Sequence, residues 1–353
     1  MTSFPYSLTR LGLLMAPEPG NELEVEGVLN PATVRGADGS LYLLPRLVAA
    51  GNVSRVGLAK IELKDAVPVG VSREGVVLEP DRSWEHGAQN AGVEDPRVTF
   101  LPALGLNVMT YVAYGPLGPR TGIAVSPDER SWKRLGPVTF EYDDEQGFDL
   151  GLYPNKDTVF FPEVVADPDG VPSFAVLHRP SWDLEGIRPG EVARPPAGLP
   201  DERASIWISF MPVSAVEEDL GALTWWRKHR VVATPQFPFE ETKIGSGPAP
   251  LRVPEGWLLI HHGVVGDIVP GVDQQKNVNY AAGAMILDAD EPWRVVARTA
   301  EPLLSAESED EREGIVANVV FPTAIEEIDG RQFVFYGMAD AKIGVAELHR
   351  SEQ

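Results

Sequence analysis

Five times along the chain a proline opens a short run rich in β-branched residues: Asn30-Pro31-Ala32-Thr33-Val34, Asp95-Pro96-Arg97-Val98-Thr99, Phe161-Pro162-Glu163-Val164-Val165, Ala249-Pro250-Leu251-Arg252-Val253 and Phe321-Pro322-Thr323-Ala324-Ile325. Proline fixes φ and lacks a backbone donor, so it is kept out of central strand positions and tolerated where a strand starts. The prolines lie 65, 66, 88 and 72 residues apart. A turn and an aromatic or apolar strand follow each one: Leu41-Tyr42-Leu43-Leu44, Val108-Met109-Thr110-Tyr111, Phe174-Ala175-Val176-Leu177, Trp257-Leu258-Leu259-Ile260 and Phe333-Val334-Phe335-Tyr336. Asp38-Gly39, Asp169-Gly170, Glu255-Gly256 and Asp329-Gly330 supply four of the turns between, as hairpins require. A propeller blade of four strands takes about 40–50 residues, and longer loops on one face account for the excess. Five units predict an all-β, five-bladed β-propeller with radial sheets around a central axis, in one domain over residues 1–353. A β-sandwich with a coincidental proline rhythm is the competing architecture. It leaves five matched pairs of proline run and strand unexplained.

The repeat leaves two segments over. Val213 to Leu220 predicts one short helix, and Trp182 to Ala204 reads as a long surface loop inserted in the wide gap between Pro162 and Pro250. Loops of that length serve as lids or oligomer contacts. A homo-oligomer is therefore an open expectation. Glu307 to Glu313 reads as a solvated acidic loop.

The formal charge is −22, which repels nucleic acid and anionic membranes and excludes both as expected partners. The chain has no cysteine, so disulfides, thiol catalysis and Cys-ligated zinc are excluded, while the compartment stays open on this count. No apolar run approaches the roughly 18 residues of a membrane span. The N-terminal stretch has no basic region leading into an apolar run, and the expectation is a soluble, cytoplasmic protein.

If the inner strands converge, the residues at their mouths share one pocket. Asp95, Asp157, Glu163 and Asp340 are carboxylates placed to bind sugar hydroxyls or to donate a proton. Lys156, Arg179, Lys243 and His262 are a candidate cationic patch. Four basic groups in one cleft of so acidic a protein call for an anion. Phosphate fits, since Arg grips it bidentately and Lys and His add charge-assisted donors. Each residue also has an ordinary structural role open to it. Lys156 suits an exposed turn, Arg179 an ion pair with Glu163, and His262 a hydrogen-bonded core position. His261 and His262 point to opposite faces of a strand, which makes them poor joint metal ligands, and no metal is expected. Gly245-Ser246-Gly247 leads into Pro248 and not into a helix, so it is no phosphate loop.

The ordered set Ser54-Arg55-Val56-Gly57-Leu58-Ala59, Gly92-Val93-Glu94-Asp95-Pro96-Arg97, Asn155-Lys156-Asp157 through Pro162-Glu163, Leu177-His178-Arg179-Pro180, Gly256 through Val264, Asn318 through Pro322 and Tyr336-Gly337-Met338-Ala339-Asp340 resembles glycoside hydrolase family 130. That family comprises mannoside phosphorylases and related β-mannosidases, and the resemblance runs from about Asn30 to Ala346. It implies a five-bladed propeller, Asp95 as the single catalytic acid, and Lys156, Arg179, Lys243 and His262 as the phosphate ligands. It further implies that Arg55, Glu94, Arg97, Asp157 and Asp340 line the mannosyl subsite. Glu163 is expected to bind substrate, and it or another pocket carboxylate is the base if the enzyme is a hydrolase. The implied reaction is inverting phosphorolysis of a short β-mannoside to α-mannose 1-phosphate, with phosphate as co-substrate and no cofactor. An inverting β-mannosidase and a non-catalytic sugar-binding propeller are the alternatives. His261 stands where tyrosine is frequent in the family, and the 182–204 loop is long; both bear on the acceptor sugar.

Overall fold

The computed structural model describes residues 4–144, 147–182, 189–190, 195–196, 198–269, 275 and 277–351. Residues 183–188, 191–194 and 197 of the 182–204 loop therefore lie outside the described residues.

The strands form five antiparallel four-stranded blades, in chain order from the axis outward, with blades one and two joined by a short parallel pairing of Val53 and Ser54 with Ala91 and Gly92. Blade one is Gly27–Arg35, Leu41–Ala49, Val53–Lys64 and Val67–Leu78. Blade two is Ala91–Leu101, Leu106–Gly115, Gly118–Ser126 and Lys133–Pro137. Blade three is Asn155–Phe160, Pro172–Pro180, Ile206–Pro212 and Trp225–Ala233. Blade four is Lys243–Ser246, Gly256–Gly266, Val278–Leu287 and Val295–Arg298. Blade five is Val320–Ile328, Arg331–Met338, Lys342–Arg350 and, as its outermost strand, the N-terminal Tyr6–Met15. That last pairing closes the ring. The core is correspondingly divided into five wedges, one between each pair of neighbouring blades: one and two, two and three, three and four, four and five, five and one. A ring of sheets that bury both faces against neighbours is a five-bladed propeller.

The prolines do not all sit where their spacing suggests. Pro31, Pro96 and Pro322 lie inside the innermost strands, at irregularities in the ladder. Pro162 and Pro250 fall instead in breaks, where the innermost strand stops and a short outer piece, Val165–Ala166 or Leu251–Val253, continues it. The feature that repeats at the axis in the first three blades is a residue with positive φ at a bulge: Asn30 at 42°, Asp95 at 47° and Asp157 at 53°. Asn and Asp tolerate this left-handed conformation better than other side-chain-bearing residues. The bulge turns each of their side chains into the central cavity.

The predicted helix is present as Val213–Glu218. The acidic segment 307–313 is not merely solvated. It forms the turn Glu309–Arg312, and Glu311 is fully buried. Glu311 accepts backbone N–H groups of Glu307 and Ser308, the Tyr336 hydroxyl and the Arg10 guanidinium. Three other blades repeat this clasp. A buried glutamate before the first strand pairs with an arginine from the outermost strand: Glu24 with Arg73, Glu85 with Arg134, Glu240 with Arg298. In blades two, four and five the same glutamate also holds Tyr111, His261 or Tyr336 on the second strand. His261 thus takes the place that tyrosine fills in two other blades of this same protein.

Candidate active site

One cavity lies on the axis and draws residues from all five blades. Blades one, two and five supply its acidic half. Asp95 Oδ1 accepts from Asn30 Nδ2 at 2.9 Å and from Arg46 Nη1 at 2.9 Å. Arg46 also binds Glu94 Oε1 at 2.9 Å and Asn52 Oδ1 at 3.0 Å, and its Nε donates to Ser54 Oγ. Burial alone would raise the Asp95 carboxyl, but Arg46, Lys156 and the Asn30 hydrogen bond together hold it below the usual carboxylate range. Asp340 behaves oppositely. Burial, then the negative charge of Asp95, pushes it up to about 6, although Arg46 and Lys156 pull the other way.

Blades three and four supply the cationic half. Asp157 is buried, accepts from Arg179 Nε at 2.5 Å, and lies 3.5 Å from both Arg97 Nη2 and His262 Nε2. Burial opposes its ionisation, yet Arg179, His262 and Arg97 keep it well below the usual range. Around this carboxylate stand Lys156, with Nζ 5.6 Å from the Tyr114 ring centroid, and Lys243, with Nζ 5.5 Å from that of Tyr280. Among the described residues neither lysine has an ion-pair partner. Burial, followed by Arg179, brings Lys243 down to about 7. His262 is fully buried against Phe321 and Tyr280, with ring centroids 4.5 and 6.0 Å away, and neither ring nitrogen has a hydrogen-bond partner. It is held neutral by burial, which outweighs Asp157. The approach is close enough that only glycine fits at 245. A Cβ there would fall 2.2 Å from Asp157 Oδ2 and 2.4 Å from His262 Cε1.

Of the residues picked out from the sequence, Asp95, Glu94, Lys156, Asp157, Arg179, Lys243, His262 and Asp340 line this cavity. Arg97 does not; it is buried behind the wall, beside Asp157 and under the Phe321 ring at 5.8 Å. Arg55 does not either. Ser54 faces Arg46 at the cavity, so strand alternation sends Arg55 to the other side. Glu163 is exposed on the bend after the third inner strand, away from the cavity, and Arg179 pairs with Asp157 instead. Residues that the sequence did not single out as ligands are Asn30, Arg46, Tyr114 and Tyr280. Arg46 had one signal: a lone guanidinium in the apolar strand Leu41–Ala49.

The donor set contains no cluster of His, Asp and Glu suited to a metal among the described residues. No helix among them is long and apolar enough to cross a membrane.

A family model described as beta-1,4-mannooligosaccharide phosphorylase, that of glycoside hydrolase family 130, matches residues 215–352. The chain is 29% identical over 347 residues to a 1,2-beta-oligomannan phosphorylase of Thermoanaerobacter sp. (strain X514), across 96% of this chain and 95% of that one. It is 40% identical over 126 residues to a beta-1,4-mannooligosaccharide phosphorylase of Ruminococcus albus, across 35% of this chain and 36% of that one. The structure of a beta-1,2-mannobiose phosphorylase from Listeria innocua, in complex with beta-1,2-mannobiose, shares the fold with a TM-score of 0.70 at 19% identity, over 98% of this chain and 96% of that one.

Proposed function

We propose that the chain is a member of glycoside hydrolase family 130 and that it is an inverting β-mannoside phosphorylase acting on short β-mannosides. The observation that carries this reading is the state of the cationic half. Asp157 is already satisfied by Arg179, while Lys156, Lys243 and the unpartnered His262 remain directed at the same space. Half-buried ammonium groups without a counter-charge and a buried imidazole without a hydrogen-bond partner are costly, and an anion with several oxygens satisfies them together.

In this reading phosphate occupies the cationic half and the mannosyl unit lies across Asp95 and Asp340. A phosphate oxygen attacks the anomeric carbon from the face opposite the leaving sugar. The new C–O bond forms as the glycosidic bond breaks, so the configuration inverts. The leaving oxygen takes a proton that originates from Asp95 by way of a mannosyl hydroxyl. Phosphorolysis is reversible: Asp95 acts as the acid once it has taken up a proton, and the ionised form that the free protein favours is the one that accepts a proton in the synthetic direction. Asp340, near 6, is the cavity carboxyl best able to hold a proton close to neutrality.

Hydrolysis with inversion needs a second carboxylate as base, about 6.5–9.5 Å from the acid, to activate water. Glu163, the base considered from the sequence, is exposed and outside the cavity. No cofactor enters the scheme, because phosphate is itself the nucleophile.

The test is a product assay on β-1,2-, β-1,3- and β-1,4-mannobiose with and without inorganic phosphate. Relatives matched over the whole chain are named for β-1,2 linkages, and the partial match for β-1,4, so both belong in the panel. Mannose 1-phosphate formed only with phosphate present is the expected result. Free mannose released equally in both conditions would refute the reading.

A further inference from the structure

Blade three is built differently from the other four, and its peculiarity lies directly behind Lys156 and Arg179, two of the four candidate phosphate ligands. Where the others carry the Glu–Arg clasp, blade three has a chain of neutral hydrogen bonds. Asn155 Nδ2 meets His178 Nδ1 at 3.0 Å, and His178 Nε2 meets Ser209 Oγ at 2.7 Å. Ser209 Oγ meets His229 Nδ1 at 2.8 Å, and His229 Nε2 meets the Glu141 carbonyl at 3.0 Å. All four side chains are buried. The chain crosses the whole blade, one residue from each strand.

Its direction is fixed from the outer end. The Glu141 carbonyl only accepts, so His229 Nε2 donates and Nδ1 of the neutral ring accepts. Ser209 then donates to His229 and accepts from His178 Nε2. That leaves His178 Nδ1 as the acceptor for the Asn155 amide. Burial keeps both imidazoles neutral, as this pattern requires.

The inner end matters because of what is adjacent. Asn155 precedes Lys156, and His178 precedes Arg179; Lys156 and Arg179 are register partners across the two innermost strands. Strand alternation puts the chain on one face and the two cations on the other. The next residue, Asp157, holds a positive φ of 53° at a break in the ladder between Lys156 and Val159. Such a backbone persists only where its surroundings over-determine it. With the regular ladder interrupted there, the Asn155–His178 bond is a cross-strand tie just before the bulge.

We propose that His178, Ser209 and His229 are positioning residues that, through Asn155, set Lys156 and Arg179 at the spacing an inorganic phosphate requires. This rests on the phosphorylase reading above. Ser209 is the informative site, since it lies two residues' reach from the cavity and its loss changes little volume. Ser209→Ala should weaken binding of inorganic phosphate to the full-length protein about three- to tenfold by isothermal titration calorimetry. The KM for phosphate should rise in parallel, and the KM for the mannoside should stay within about twofold. Ser209→Thr keeps the hydroxyl and should restore most of the phosphate affinity. A purely structural role predicts a lower melting temperature with the phosphate affinity of the folded protein unchanged, and that result overturns the proposal while leaving the phosphorylase reading intact. Wild-type protein that binds no phosphate would overturn both.

Discussion

In the half of the cavity built by blades one, two and five, two of the carboxylates already have a cationic partner. Arg46 alone bonds to Glu94 and Asp95, and Asn30 closes a further bond to Asp95. In the half built by blades three and four, one carboxylate, Asp157, faces Arg179, Arg97 and His262, while two lysines stand by without ion-pair partners among the described residues. The acidic half is therefore preorganised as it stands. The cationic half is incomplete in a chain whose overall charge is −22. Long-range charge cannot explain a local surplus of the opposite sign; a ligand can. One half is set for neutral hydroxyls and a proton, the other for an anion, and the reaction joins what the two hold.

The most severe way to break this division is Asp95→Asn. In the proposed mechanism the substitution removes the group that exchanges the proton, and general acid–base catalysis contributes about 10²- to 10⁴-fold. Initial rates of phosphorolysis should fall by about that factor, while calorimetric phosphate binding persists because the cationic half is untouched. Loss of both together would mean that the halves do not act separately. The next largest effect belongs to the other side. Lys243→Ala deletes a charge-assisted donor, and the KM for phosphate should rise about 10- to 100-fold with the mannoside KM nearly unchanged. Rates measured against a phosphate series at fixed mannobiose would detect this split.

How much of the division was readable beforehand depends on the kind of signal each residue left. The five blades were legible because proline and Asp-Gly or Glu-Gly turns punctuate strands for backbone reasons that do not depend on neighbours. The same reliance on proline misplaced Glu163. Aligning Pro162 with Pro96 put Glu163 near the axis, but the true counterpart of Asp95-Pro96 is Asp157-Thr158, which shares the bulge and the positive φ without the proline. Arg55 was expected in the cavity from the family resemblance, and which face it takes is fixed only by register with the neighbouring strand. The clasps were hidden for a different reason. Glu311 sits in an acidic run, and only the arrival of Arg10, some 300 residues earlier in the chain, makes it a core residue. The neutral chain of blade three joins positions 155, 178, 209 and 229, unremarked in their own segments apart from Asn155 beside Lys156 and His178 beside Arg179.

A pH series sharpens the comparison with a smaller effect. Lys243, brought down to about 7 by burial and by Arg179, is protonated below that pH and neutral above it. Raising the pH through 7 removes a positive charge from the cationic half, so phosphate should bind several-fold more weakly at about pH 8.5 than at about pH 6. Bound phosphate favours the charged lysine, which moves the loss upward in the complex and keeps it modest. Calorimetry across the range measures it, and in Lys243→Gln the part of the trend due to this lysine should vanish.

The smallest effect is on stability and comes from the one carboxyl of the acidic half that is not matched. Asp340 is raised from 3.8 to about 6, first by burial and then by Asp95. Between those two values the folded protein binds the proton more tightly than the unfolded chain, so its contribution to stability is present at low pH and is lost as the pH rises through about 4 to 6. Above that window the ionised Asp340 is a standing cost of the apo protein. Asp340→Asn removes the charge at nearly constant volume. It should raise the melting temperature by a few degrees at about pH 7.5 and by less at about pH 5. It should also slow phosphorolysis, since a carboxylate in the mannosyl region is lost. A destabilised Asp340→Asn at both pH values would mean that Arg46 and Lys156 outweigh burial at this position, and that the acidic half is matched throughout. A stabilised but slow enzyme would place the strain of the cavity at Asp340, where substrate hydroxyls replace the solvent that the folded chain removed.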